Sequence, residues 1–188
     1  GAPVVGRAGE LVCTEPFPSM PLTFWGEGGE ERYHQTYFGD RAEIWTHGDR
    51  ATLNADGSAV IHGRSDFTLN PGGIRIGTAD IYNVCDRFSE VEDCITFGRP
   101  VDNDEEIVLC LKMGEGQCAT PELASSIRSM LRKECSPRHV PAAIYAVADI
   151  PYTINGKRVE GACKAMISGL EVKNKASLAN PDCLNEYA

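Results

Sequence analysis

Apolar positions change their spacing near the middle of this chain. Through residues 1–65 they come in short runs, ELVCT, PLTFW, EIWTH, RATL and AVIHG, which is a strand signature. EPFPSMP between the first two is turn-rich, and GEGGEERYH reads as a charged, glycine-rich loop. Asn54-Ala55-Asp56-Gly57 separates RATL from AVIHG, and an Asp-Gly turn between short apolar strands predicts a hairpin. Such a meander fits a small barrel or an edge sheet.

After Gly63 a second pattern begins. TLNPGGIRIG reads as two short strands around a Gly-Gly turn. Thr78 opens a helix with Ile81, Val84, Cys85 and Phe88 at helical spacing. ITFGRPV and EEIVLCLKM are strand runs. Thr120 is an N-cap candidate with Pro121 at the first helical position, and Leu123, Ile127, Met130 and Leu131 form one apolar face. AAIYAVADI reads as a buried strand, PYTINGK as a loop and VEGACKAMISG as a last helix. The order βαββαβα from Asp66 onward predicts an α+β domain, a small antiparallel sheet with packed helices. The polar tail EVKNKASLANPDCLNEYA is expected to lie on the surface or hang loose.

Charge and cysteine usage narrow this picture. A net charge of -9 argues against nonspecific nucleic-acid binding, which needs a surplus of Lys and Arg. It leaves room for an anionic small molecule, because a few arginines hold phosphates locally. No apolar run approaches the roughly 18 residues that span a bilayer, and the opening residues lack the basic stretch and apolar core of a signal peptide. The eight cysteines are scattered, most in apolar segments such as DCITF and VLCLKM, with no CxxC pair. That distribution predicts free thiols in a reducing, cytoplasmic setting and no metal site.

Three segments carry candidate chemistry. In WTHGDRA, Asp49 follows Gly48 at the end of a strand, where a carboxylate can accept two hydrogen bonds from a diol. In GRSDFTLNPGGIRIG, Arg64 and Arg75 can hold phosphate or ribose, and Gly72 and Gly73 let backbone pass close to a ligand. In PYTINGKRVE, Lys157 is a point charge presented by a glycine-containing loop. Taken singly, each is more simply a turn cap, a hairpin with surface arginines, and a solvated lysine.

Taken in order, Gly48-Asp49, Gly63-Arg64-Ser65-Asp66, Gly73 with Arg75, and Gly156-Lys157 resemble the adenylate-forming superfamily of acyl-CoA synthetases over nearly the whole chain. PSMPLTFWGE, RYHQTYF, NPGGIRIGTADIYNV and ASLANPDCL resemble members that activate a short keto acid rather than the acetyl, long-chain or aryl relatives. The resemblance implies residues 1–65 as the end of the large domain's β-barrel and residues 66–188 as the mobile C-terminal lid. It implies two half-reactions, adenylation of a carboxylate by ATP and then thioester formation with CoA. Asp49 would accept from the ribose hydroxyls, Arg64 would contact ribose or phosphate, and Asp66 would be the hinge. Lys157 would bridge carboxylate and α-phosphate. After rotation Gly72 and Gly73 would line the pantetheine channel and Arg75 would meet the adenylate phosphate. Arg132 would lie near the CoA 3′-phosphate, with Lys133 and Arg138 as close alternatives.

Departures from the family pattern are Phe67, where many relatives carry a second acidic residue, and Asn155, often Ser. The phosphate loop, the adenine-binding strand and the acidic residue near Mg2+ do not occur in this sequence. ATP, CoA and a short acid are therefore expected as substrates of a longer protein with an N-terminal domain. Mg2+ is expected there and not on this segment, which alone should be inactive. The alternatives are an acetyl- or propionyl-type synthetase and a non-catalytic module built on the same lid.

Overall fold

A computed structural model describes residues 2–39, 41–65, 67–102, 104–172 and 175–188. The chain divides into two compact units, Gly1–Asp66 and Phe67–Ala188.

The first unit holds strands β1 (Ala8–Cys13), β2 (Trp45–Leu53) and β3 (Ala59–Arg64) in the order β1-β2-β3, all antiparallel. Among the described residues this sheet stays open and closes no barrel. EIWTH and RATL are one strand, β2, continuous through Gly48, and PLTFW forms no strand. GEGGEERYH also departs from its loop reading, because helix α1 runs Gly29–Phe38. Its first turn carries Glu30 and Glu31, favourable at the positive end of a helix dipole. Tyr33 and Tyr37, four residues apart, share one face. Tyr37 stacks on Trp45 with ring centroids 3.7 Å apart, and Tyr33 meets Phe24 edge-on. An aromatic cluster outweighs the glycines. The hairpin between β2 and β3 forms as the Asp-Gly signal indicates, with Asn54 N–H donating to Ser58 O at 2.8 Å and Gly57 at φ +85°.

The second unit contains α2 (Thr78–Cys85), β4 (Val91–Val101), β5 (Asp104–Met113), α3 (Pro121–Glu134), β6 (Ala143–Val147) and α4 (Glu160–Ile167). The sheet order is β4-β5-β6. β4 and β5 form an antiparallel hairpin, but β6 returns parallel to β5 after α3, so the sheet is mixed rather than antiparallel. Parallel pairing needs such a crossover. Residues of β4 and β5 bury both faces. Cys94, Ile107, Leu109 and Leu111 pack against α2 and α3 through Ile81, Val84, Ile127 and Leu131. Ile95, Phe97, Val108 and Cys110 pack against Ile150, Cys163 and Tyr187. Two-sided burial is why both strands read as continuous apolar runs.

Thr120 caps α3 as expected, its Oγ1 accepting from Leu123 N–H at 3.2 Å. β6 is an edge strand and only half-buried, where AAIYAVADI suggested full burial. TLNPGGIRIG makes a single bridge, Leu69 to Ile76, around a 3-10 turn at Pro71–Gly73. The polar tail is no loose appendage. Cys183, Leu184 and Tyr187 are buried, and Leu184 joins Ala162, Val172 and Leu178 in a small core of its own.

Gly98 on β4 is buried because Glu105 crosses over it. A Cβ there would stand 1.9 Å from the Glu105 carboxyl carbon. That carboxylate accepts from Asn70 N–H at 2.9 Å and pairs with Lys164 Nζ at 2.6 Å, tying the glycine turn and α4 to the sheet. Gly98→Ala is therefore expected to push Glu105 out of both bonds and destabilise the unit by about 1–3 kcal/mol. Thermal denaturation followed by far-ultraviolet circular dichroism checks it.

Candidate functional site

The candidate residues fall into one group in the first unit and two in the second. In the first, the hairpin register places Asp49 opposite Arg64. A bulge at His62, opposite the step from Arg50 to Ala51, makes that pairing possible, because it shifts β2 against β3 by one residue. Asp49 Oδ2 lies 3.0 Å from His47 Nδ1, and Asp49 Oδ1 lies 3.7 Å from Arg64 Nη1. Arg64 also donates to His47 O at 3.2 Å. Gly48 is required between them: its φ is +83°, and a Cβ would stand 2.9 Å from Arg64 Nη2. The result is a carboxylate with a cation and an imidazole within β2, beside the end of β3, rather than at the end of a strand as expected, with the Asp49 side chain 20% exposed.

In the second unit, Gly72 and Gly73 turn with φ of +60° and +77°. With Val101, Asp102, Asp104 and Glu106 they line an open cleft of about 540 Å³. Gly72 N–H donates to Asp104 Oδ1 at 2.7 Å. The N–H groups of Glu105 and Gly72 hold the Asp104 carboxyl below its usual range. The resemblance implies Arg132 near the CoA 3′-phosphate, with Lys133 and Arg138 as close alternatives. Arg132 sits exposed in the last turn of α3, whereas a Cβ on Gly72 would stand 2.0 Å from Arg138 Nη1. It is Arg138 that lies against the turn. Arg75 is exposed two residues beyond Gly73, just before the Leu69–Ile76 bridge. Asp66, the expected hinge, lies outside the described residues.

The third group is the lysine loop. Tyr152 and Arg158 bridge antiparallel, and Thr153 N–H donates to Lys157 O at 2.8 Å. Lys157 N–H returns a bond to Thr153 Oγ1 at 3.1 Å, and Gly156 takes φ +74° at the bend. The tail then adds a third segment. Ile154 N–H donates to Ser177 O at 3.0 Å and Ala179 N–H to Tyr152 O at 2.9 Å. Asn180 Oδ1 accepts from Tyr152 N–H at 3.0 Å while its Nδ2 donates to Ile150 O at 2.8 Å. The loop is thus a supported hairpin with exposed Lys157 on its returning arm, just after the bend at Gly156.

The cysteines are free, and burial pushes the Cys110 thiol up to about 12, where it stays protonated. Among the described residues no group of three His, Cys, Asp or Glu side chains is placed to hold a metal ion. Among them, too, no helix is long and apolar enough to cross a membrane.

Comparison with known proteins takes the assignment further. No protein-family model matches the chain. A solved anthranilate CoA ligase, AuaEII in complex with anthranoyl-AMP, superposes on 82% of this chain with a TM-score of 0.70 at 22% identity. The chain has the fold of the adenylate-forming acid–CoA ligases. Its sequence is similar to acetoacetyl-CoA synthetases. It is 47% identical over 188 residues, its whole length, to the Rhizobium meliloti protein and covers 29% of it. It superposes with a TM-score of 0.91 and 38% identity on the acetoacetyl-CoA synthetase from Streptomyces lividans, covering 100% of this chain and 28% of that one. The chain therefore spans less than a third of the length of these relatives.

Proposed function

We propose that this chain is the C-terminal part of a cytoplasmic acetoacetate–CoA ligase, which converts acetoacetate, ATP and CoA to acetoacetyl-CoA, AMP and pyrophosphate. In the first half-reaction a carboxylate oxygen attacks the α-phosphorus and the bond to the β-phosphate breaks, releasing pyrophosphate. In the second, the CoA thiol gives up its proton, its sulfur attacks the acyl carbon and AMP leaves. The observation that carries the reading is the lysine loop: a hairpin stiffened on one side by the tail, presenting one cation, in a chain similar over its full length to acetoacetyl-CoA synthetases.

Each residue then has a physical task. Lys157 neutralises charge shared by the incoming carboxylate and the α-phosphate, the electrostatic form of catalysis. Asp49 accepts from the ribose hydroxyls, with His47 and Arg64 fixing its orientation and Arg64 reaching ribose or phosphate. Gly72 and Gly73 admit the pantetheine arm close to backbone, and Arg75 meets the adenylate phosphate. Arg132, with Lys133 and Arg138 as alternatives, supplies positive charge for the CoA 3′-phosphate. Asp66 turns the second unit between the half-reactions, bringing Lys157 to the site for the first and the glycine turn for the second. The acyl pocket, the phosphate loop and the Mg2+ donors belong to the N-terminal domain.

The test is ATP–pyrophosphate exchange by the full-length protein with acetoacetate, acetate or propionate as the acid. Exchange that depends on acetoacetate is the expected result. Preference for acetate or propionate would reassign the substrate, and no exchange with any acid would leave a non-catalytic module.

A further inference from the structure

The Lys157 loop is fastened at its base by a half-buried polar cluster that none of the roles above uses. Arg158, the next residue, donates from Nε to Asp93 Oδ1 at 3.0 Å, and its Nη2 bonds the same oxygen. Asp93, on β4, has a side chain 13% exposed, and its Oδ1 also accepts from Cys94 N–H at 2.7 Å. The guanidinium lies over the ring of Tyr82 on α2, with Cζ 4.4 Å from the centroid. Tyr82 in turn donates its hydroxyl to Glu160 Oε1 at 2.8 Å and accepts from Thr96 N–H at 3.3 Å. Burial first, then the charge of Glu160, raises the Tyr82 hydroxyl well above its ordinary range, so it remains a donor.

The arrangement bears on where Lys157 points. Residues 158 and 160, immediately after the lysine, are held to α2 and β4, which belong to the core of the unit. Tyr152 and Arg158 bridge as in a strand pair, and successive side chains of a strand leave on opposite sides. Anchoring Arg158 inward thereby sends Lys157 outward. A planar fork on a carboxylate, stacked on an aromatic ring, sets angle as well as distance. Ion pairs taken out of water contribute little net stability, because desolvation offsets much of the attraction. What such a cluster secures is geometry. A loop that only closed a chain would need no charged anchor, since the apolar core beneath it is complete without Arg158.

We propose that Arg158, Asp93, Tyr82 and Glu160 are positioning residues for Lys157, holding the lysine turn in the orientation that adenylation requires. The proposal rests on the reading of Lys157 as the adenylation residue. It names no contact between these four and substrate.

Two measurements test it. In the 188-residue chain, Arg158→Met keeps the length of the side chain and removes the fork and the charge. Amide exchange at Thr153 and Lys157 is expected to quicken at least about tenfold, while amides of β4 and β5 keep their rates, because only the loop is released. Unchanged loop exchange, or an equal rise throughout the unit, overturns the clamp. In the full-length enzyme, Arg158→Met is expected to lower kcat for adenylation about 10- to 100-fold with KM for ATP little changed, the mark of misplaced chemistry rather than lost binding. Arg158→Lys is expected to recover part of that loss.

A double variant separates this proposal from the reading beneath it. Arg158→Met combined with Lys157→Ala is expected to be no slower than Lys157→Ala alone, because the clamp acts through the lysine. Additive losses would overturn the proposal and leave the lysine's role standing. If Lys157→Ala alone left adenylation intact, the role of Lys157 would fall, and the positioning role with it.

Discussion

Lys157→Ala in the full-length enzyme is expected to slow adenylate formation by about a hundredfold or more, and to leave thioester formation from preformed acyl-adenylate near its original rate. In the proposed reaction the lysine has no carboxylate–phosphate pair to bridge once the adenylate exists, so its charge would be useful in the first half-reaction alone. Its place favours such a duty. The loop is held on one side by the tail and on the other by Arg158, and the lysine stands exposed just after the bend. Removing a fixed charge aimed at a transition state costs about 3 kcal/mol or more. Lys157→Arg is expected to restore little, because a broad planar head does not fill a point-charge site. Asp66→Pro is expected to give the opposite pattern, since a locked φ hinders rotation after adenylation. Timing the two half-reactions separately decides it, by pyrophosphate exchange and by thioester formation from synthetic acyl-adenylate. Equal slowing of both by Lys157→Ala would make the lysine structural.

Leu184→Ala is expected to destabilise the second unit by about 2–5 kcal/mol, as a leucine cut from a filled core does. Leu184 is 1% exposed and packs with Ala162, Val172 and Leu178. Its neighbour in the tail, Tyr187, covers Phe97 on the sheet and donates to Asp149 O at 2.9 Å. The loss should be read at two places. Amides of β5 should exchange about thirtyfold faster or more, which is what 2 kcal/mol amounts to when global opening governs exchange. Ile154, whose N–H is bonded to Ser177 O, should exchange faster still, because the tail segment supporting the lysine loop loosens with it. Exchange unchanged at both places would mean that the tail only rests on the surface.

That last point separates what was legible in the sequence from what was not. The core of the second unit was legible because its signals are local. Thr120-Pro121 marks a helix start through one turn of backbone, and Leu123, Ile127 and Leu131 repeat at the helical period. The hairpin at Asn54–Gly57 was legible for the same reason, since φ +85° at Gly57 needs a residue without a Cβ. Gly48-Asp49, Arg64 and Gly156-Lys157 stood out as a spaced set that resembles a known family, and the relatives at 38% to 47% identity agree with that class.

Other features answer to contacts between residues far apart, and no local pattern carries them. α1 forms over a glycine-rich, charged stretch because Tyr33 and Tyr37 find Trp45, a partner outside the helix. Asp49 meets Arg64 only because β3 bulges at His62, and a regular register would have set it opposite Gly63. Arg158 finds Asp93 across 65 residues, and Asn180 finds Tyr152 across 28. The sequence by itself determined which residues are candidates for the chemistry, because charge, size and backbone freedom belong to each residue. The tertiary structure alone decided which of them meet and in what orientation, because a salt bridge or a stacked ring depends on both partners, and the chain between them says nothing of their distance.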